Sequence, residues 1–247
     1  MSEQNNSMTL VDHLAELRHR LVIIFVVNLG LAMVLFQFAE KMMAYLLALN
    51  PGFTFVFVEP QELFMVYIQL ALLLSVIICS PLTIYQLWAF IRKGLYPKER
   101  FYGVCSLVAG VGFFALGVVF CYKVALPFTL RFFVNITIDD INPMISIQSF
   151  ASFCNTMLAS FGLVFEMPVL SFLFTKLGVI TARGLKRKQG LLILVIFVLA
   201  AIITPPDVIS QICLGVPMVL LLQISIAVSA FAEKGLKKKE AAETAAA

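Results

Sequence analysis

Six apolar runs limit what this chain can fold into. They cover residues 21–38, 63–90, 101–122, 150–174, 191–204 and 208–231, and among them Glu166 is the only charged residue. Hydrocarbon gives backbone N–H and C=O groups no partner, so runs of this kind satisfy themselves as helices. A transmembrane barrel would alternate apolar and polar residues, and these runs do not. A helix rises ~1.5 Å per residue, so a ~30 Å bilayer core takes about 20 residues. The expectation is an all-α integral membrane protein with six transmembrane helices in one domain over residues 1–232.

Composition agrees. Hydrophobic residues make up 61% of the chain and charged residues 13%. With a mean hydropathy of +0.99, a soluble fold of this size could not hide so much apolar surface. Five cysteines, an odd and small number, argue against a disulfide scaffold and read as small buried hydrophobes. The 23 phenylalanines argue against disorder. A net charge of +4 is too mild to point to nucleic acid. The first run lacks a small-residue cleavage site and is followed by Glu40 and Lys41, so it reads as a span rather than a cleaved signal. No internal repeat is evident.

The placement of charge sets the expected orientation. Six spans put both termini on one side, together with residues 91–100 and 175–190. That side carries 15 of the 18 lysines and arginines, and the other carries Lys41, Lys123 and Arg131. Positive charge stays cytoplasmic, so both termini are expected in the cytoplasm. Residues 233–247, rich in Lys, Glu and Ala, read as a charged flexible tail.

Few polar residues fall where the pattern needs a reason for them. Leu10, Leu14, Leu17 and Leu21 have helical spacing and suggest an amphipathic helix over about 8–20, lying at the interface and carrying Glu16. Glu99 follows Pro97, which suits a helix start. Each acid reads either as a cap or surface partner of Arg18 or Arg100, or as a carboxylate offered to a cationic partner. Glu166 lies ~12 Å inside the fourth span, where a charge costs about 2.5–3.5 kcal/mol. It shares a stripe with Gly162, Ala159, Asn155 and Ser152, small or polar residues that suit protein or a wet cavity better than lipid. It reads as a structural acid bonded to a neighbour or as a functional group. The fifth span, at ~21 Å, falls short of the bilayer core. It joins the sixth in a hairpin through Thr204-Pro205-Pro206-Asp207, with Asp207 placed to cap the last helix.

These residues weigh against an enzyme. The only histidines, His13 and His19, precede the first span. Asp12, Asp139, Asp140 and Asp207 lie at or outside the span boundaries. No catalytic pair, metal site or cofactor site is therefore expected. A proton-coupled solute carrier built on Glu166 remains an alternative, because one buried carboxylate can carry a proton. A receptor would instead present Glu16 and Glu99 at the surface.

The chain also resembles the TatC family, the core subunit of the twin-arginine protein translocase. The resemblance runs through His13-Leu14-Ala15-Glu16-Leu17-Arg18, then Ser80-Pro81-Leu82-Thr83-Ile84-Tyr85-Gln86-Leu87-Trp88-Ala89-Phe90. It continues through Gly94-Leu95, Glu99-Arg100, Phe161-Gly162, Glu166-Met167-Pro168-Val169 and Thr204-Pro205-Pro206-Asp207-Val208-Ile209-Ser210-Gln211. Lys93 and Gln223 depart from it, the first standing where a proline is frequent and the second where an acid is. The resemblance implies a concave, glove-like membrane receptor for signal peptides bearing two consecutive arginines, which Glu16 and Glu99 would bind. Arg18, Phe90 and Arg100 would support that face. Glu166 and Gln211 would meet partners within the membrane. The implied partners are single-span TatA-like and TatB-like proteins and further copies of this chain, with folded cargo driven by the proton motive force.

Overall fold

The computed structural model describes residues 10–92, 100–135, 144–203 and 208–245, and the fold is mostly helical. Helix α1 spans Leu10–Leu35 and passes through a 3-10 turn, Phe36–Phe38, into α2, Ala39–Leu47. The amphipathic segment and first span of the sequence reading are thus one helix. Residues 14–35 contain no proline, and their single glycine, Gly30, has open space around it. The outward face of α1 exposes Phe25, Val26, Met33 and Val34, as a lipid-facing helix would.

The second expected span is α3, Glu62–Ile78, and α4, Ser80–Arg92, bent by 55° at Cys79. Pro81 explains the break. It has no N–H to give the helix, and its ring crowds the carbonyl four residues back. The third span runs further than expected. Helix α5, Arg100–Phe120, continues through a π turn, Cys121–Ala125, into α6, Leu126–Asn135. Pro127 lies just beyond that turn and has the same effect, absorbed here by a wider helical turn. The fourth span is α7, Ile147–Val164, and α8, Met167–Lys176, with Phe165 and Glu166 forming the joint ahead of Pro168.

A short α9, Ala182–Arg187, leads to α10, Gln189–Ile203. Helix α11 covers Val208–Ala245, so the charged tail continues the last span as helix up to residue 245. Ala, Glu and Lys are strong helix formers, and an existing helix spares them the nucleation cost. Among the described residues, four helical stretches are long and apolar enough to cross a membrane: Leu14–Leu47, Tyr102–Asn135, Ile147–Lys176 and Val208–Gly235. The bent α3–α4 pair makes a fifth, and α10 is a shorter apolar helix.

The all-α expectation needs one correction. Thr54–Val56 (β1) and Met144–Ser146 (β2) form a two-stranded parallel sheet, with Phe55 opposite Ile145. Aromatic and β-branched residues favour this pairing, and the Phe55 ring rests 4.9 Å from that of Phe150. The sheet ties the segment after α2 to the segment before α7, so both lie at one end of the bundle. At its centre, Val66, Leu126, Met157, Phe161, Leu214 and Leu222 are fully buried in one core shared by α3, α6, α7 and α11.

Candidate recognition site and intramembrane acid

The end of the bundle opposite the sheet brings the start of α1 beside the end of α4. Arg20 donates from Nε and Nη2 to one oxygen of Glu16, at 2.9 and 2.7 Å. Its Nη1 donates to Oε1 of Gln86 on α4, at 2.8 Å. Glu16 is therefore held by Arg20, one helical turn on. Arg18 is exposed and lines a shallow apolar groove with Leu14, Leu17, Leu21, Val22 and Phe25. Phe90 is half-buried near the end of α4. Glu99, the side chain of Arg100 and Asp207 lie outside the described residues.

Two turns of contact hold this end together. The Trp88 ring lies across Gly103 of α5, so closely that any β-carbon there would overlap it. Lys176 at the end of α8 stands over the Tyr102 ring, 4.8 Å from its centroid, and donates to the carbonyl of Ala232. The basic residues Arg18, Arg20, Lys176, Arg183, Lys186, Arg187 and Lys188 gather here, whereas Lys41, Lys123 and Arg131 belong to the sheet end.

Glu166 sits deeper, at the joint of α7 and α8. It lines a cavity of about 360 Å³ bounded by α3, α4, α5, α7 and α8, with Val76, Ile84, Leu107 and Leu170 supplying apolar wall. The polar residues in that wall are Ser80, Thr83, Ser106 and Glu166 itself. Its carboxylate lies against Gly110, and Oε1 has no hydrogen-bond partner among the described residues. The polar stripe splits along its length. Ser152 donates to Gln69 of α3 at 3.0 Å, whereas the Asn155 amide finds no partner among the described residues. Gln211 is a helix-to-helix clasp, its amide donating to the Phe197 carbonyl of α10 at 3.0 Å. Gln223 is exposed.

Three residues escaped the sequence reading. Arg20 counted only among the basic residues and Gln86 only within the Ser80–Phe90 motif, because nothing local shows that α1 and α4 meet. Glu62 stands just ahead of the second apolar run, with nothing local to mark it. It is 4% exposed and receives the Ser146 hydroxyl, 3.2 Å from both of its oxygens. Of the cysteines, Cys79, Cys121 and Cys154 are buried as expected, but Cys105 is exposed on α5. Among the described residues no three His, Cys, Asp or Glu side chains are grouped to hold a metal ion.

Comparison with known proteins places this geometry. Residues 12–217 match the family model described as Sec-independent protein translocase protein (TatC). The chain is 33% identical to the Sec-independent protein translocase protein TatC of Desulforapulum autotrophicum over 232 residues, 92% of this chain and 86% of that one. It is 33% identical to TatCy of Bacillus subtilis over 247 residues, covering 96% and 95% of the two chains. A crystal structure of the twin arginine translocase receptor TatC aligns with a TM-score of 0.81 at 33% identity, over 90% of this chain and 99% of that one.

Proposed function

Because this chain belongs to the TatC family of Sec-independent protein translocase proteins, we propose that it is the receptor on which twin-arginine signal peptides dock. It is a multi-pass membrane protein of a translocase, and the solute-carrier alternative built on Glu166 finds no support among its relatives. On this reading all six apolar segments cross the cell's inner membrane, the short α10 included. The basic end faces the cytoplasm with both termini, and residues 233–247 extend there. TatA-like and TatB-like single-span proteins complete the machine, copies of this chain associate, and the proton motive force drives folded cargo across. No step of this role calls for catalysis by the chain itself.

One observation carries the docking site. Glu16 already holds a guanidinium through two converging donors at the basic end, so its surroundings suit that group. Guanidinium offers a planar fork of donors, which an ammonium cannot copy. Glu16 and Glu99 together would then ask for two arginines, with Arg18, Phe90 and Arg100 around them. Glu166, in its largely apolar cavity, and Gln211 would meet a partner helix or the apolar stretch of the signal peptide.

Crosslinking of a twin-arginine peptide from residues 16 and 99, paired with binding measurements, tests the reading. Each charge-assisted bond is worth about 1.5–3 kcal/mol, so Glu16→Gln or Glu99→Gln should weaken binding roughly ten- to a hundredfold. Glu→Asp should cost less, and a Lys-Lys peptide should mimic the loss. Binding should also fall as salt rises. A folded Glu99→Gln variant that kept the wild-type preference for Arg-Arg would remove Glu99 from the site.

A further inference from the structure

We propose that Arg20 is an internal competitor for the guanidinium site on Glu16, held in place by Gln86, and that this competition makes the site select arginine over lysine. The inference rests on the reading of Glu16 as a docking residue and adds what sets its selectivity.

The geometry exceeds what a helix-surface pair needs. A glutamate four residues ahead of an arginine is a favourable pair on any helix, which accounts for Glu16 and Arg20 alone. It does not account for the third bond. Arg20 Nη1 reaches Gln86, 66 residues away on α4, while Nε and Nη2 converge on Glu16. Three of the five guanidinium donors are thereby committed across two helices. The pair is also more covered than an ordinary surface pair, with side-chain exposures of 19% for Arg20 and 12% for Glu16. Arg20 thus occupies the carboxylate as an arriving arginine would.

Selectivity follows from exchange. An incoming cation must give Glu16 at least what Arg20 gives it. A guanidinium replaces like with like, and the displaced Arg20 keeps its bond to Gln86, so little is lost. An ammonium brings a compact, strongly hydrated charge without the planar fork, and Arg20 holds the site against it. Without Arg20, either cation reaches Glu16 without displacing this guanidinium, and discrimination shrinks from the lysine side.

The test measures binding of labelled Arg-Arg and Lys-Lys signal peptides to the full-length protein in detergent micelles. Arg20→Gln should tighten Lys-Lys binding by about tenfold, the size of one charge-assisted contact, and change Arg-Arg binding far less. Gln86→Met, which leaves Arg20 in place but untethered, should move the ratio the same way by a smaller factor. Arg20→Lys serves if Arg20→Gln does not fold, and it too should narrow the ratio, because a lysine leaves Glu16 more readily. If folded Arg20 variants weaken both peptides equally, or leave the ratio at its wild-type value, Arg20 is only a helix staple and the proposal fails. Glu16→Gln separates the two levels. If it leaves Arg-Arg binding unchanged, the docking assignment of Glu16 falls, and the competitor role falls with it. If it weakens binding while the Arg20 variants do not narrow the ratio, only the competitor role falls.

Discussion

Gly110 of α5 lies directly against the Glu166 carboxylate: a β-carbon there would stand 3.0 Å from Oε2 and 3.5 Å from Oε1. A side chain at that position would be tight against the carboxylate, which would have to give by a few tenths of an ångström. The close approach brings the intramembrane acid within the helix assembly, beside a cavity whose other polar contributions are three hydroxyls.

Replacing Glu166 tests what the acid is for. Glu166→Gln keeps the polar atoms and should leave insertion and peptide binding largely intact. Glu166→Leu removes a buried oxygen without a partner among the described residues, which relieves a cost of about 1–3 kcal/mol. Its melting midpoint in detergent should hold or rise, while export of a reporter cargo and co-purification of partner subunits fall. A drop in stability with export intact would make Glu166 a structural acid. Gly110→Leu should damage the same assays by displacing the carboxylate.

Gly103 should tolerate no side chain. Its would-be β-carbon overlaps the Trp88 ring, so Gly103→Ala must push the indole off α5. Overpacking of this kind costs about 1–3 kcal/mol. Trp88 is the chain's only tryptophan, so its fluorescence reports the change directly. A red-shifted emission and a lower midpoint are expected, and an unchanged spectrum would contradict the contact.

Ser146 joins two elements through one hydroxyl. It donates to Glu62 at the start of α3 and accepts from the Ser149 N–H as the cap of α7. Loss of a cap costs about 1 kcal/mol, and a buried acid deprived of its donor adds to that. Ser146→Ala should lower the unfolding midpoint, and Ser146→Thr should not. In a double-mutant cycle with Glu62→Gln the two effects should be less than additive.

Cysteine labelling checks the orientation. Single cysteines at residues 98 and 187 should react only from the cytoplasm, and those at 50 and 142 only from outside. The β1–β2 pairing supports this, since it puts residues 54–56 and 144–146 at one end. External labelling at residue 98 would sink the six-span arrangement.

Local chemistry determined much of this protein from sequence alone. Hydrocarbon demands helices of continuous apolar residues, so the apolar segments and the isolation of Glu166 were legible before any fold. The lopsided distribution of lysines and arginines marked the two ends, and the motifs around Glu16, Glu99 and Thr204–Asp207 pointed to the family. What stayed hidden depends on how helices dock. Helical periodicity places Glu16 and Arg20 on one face but is silent on Gln86, which enters only because α1 and α4 meet. Glu62 and Ser146 are 84 residues apart and look like unremarkable cap residues until β1 and β2 pair. Gly103 and Gly110 looked like two small residues in an apolar run, and only the packed bundle gives them Trp88 and Glu166 to face. Hydropathy and period act along the chain, whereas these contacts act across it, and tertiary packing chooses which residues meet.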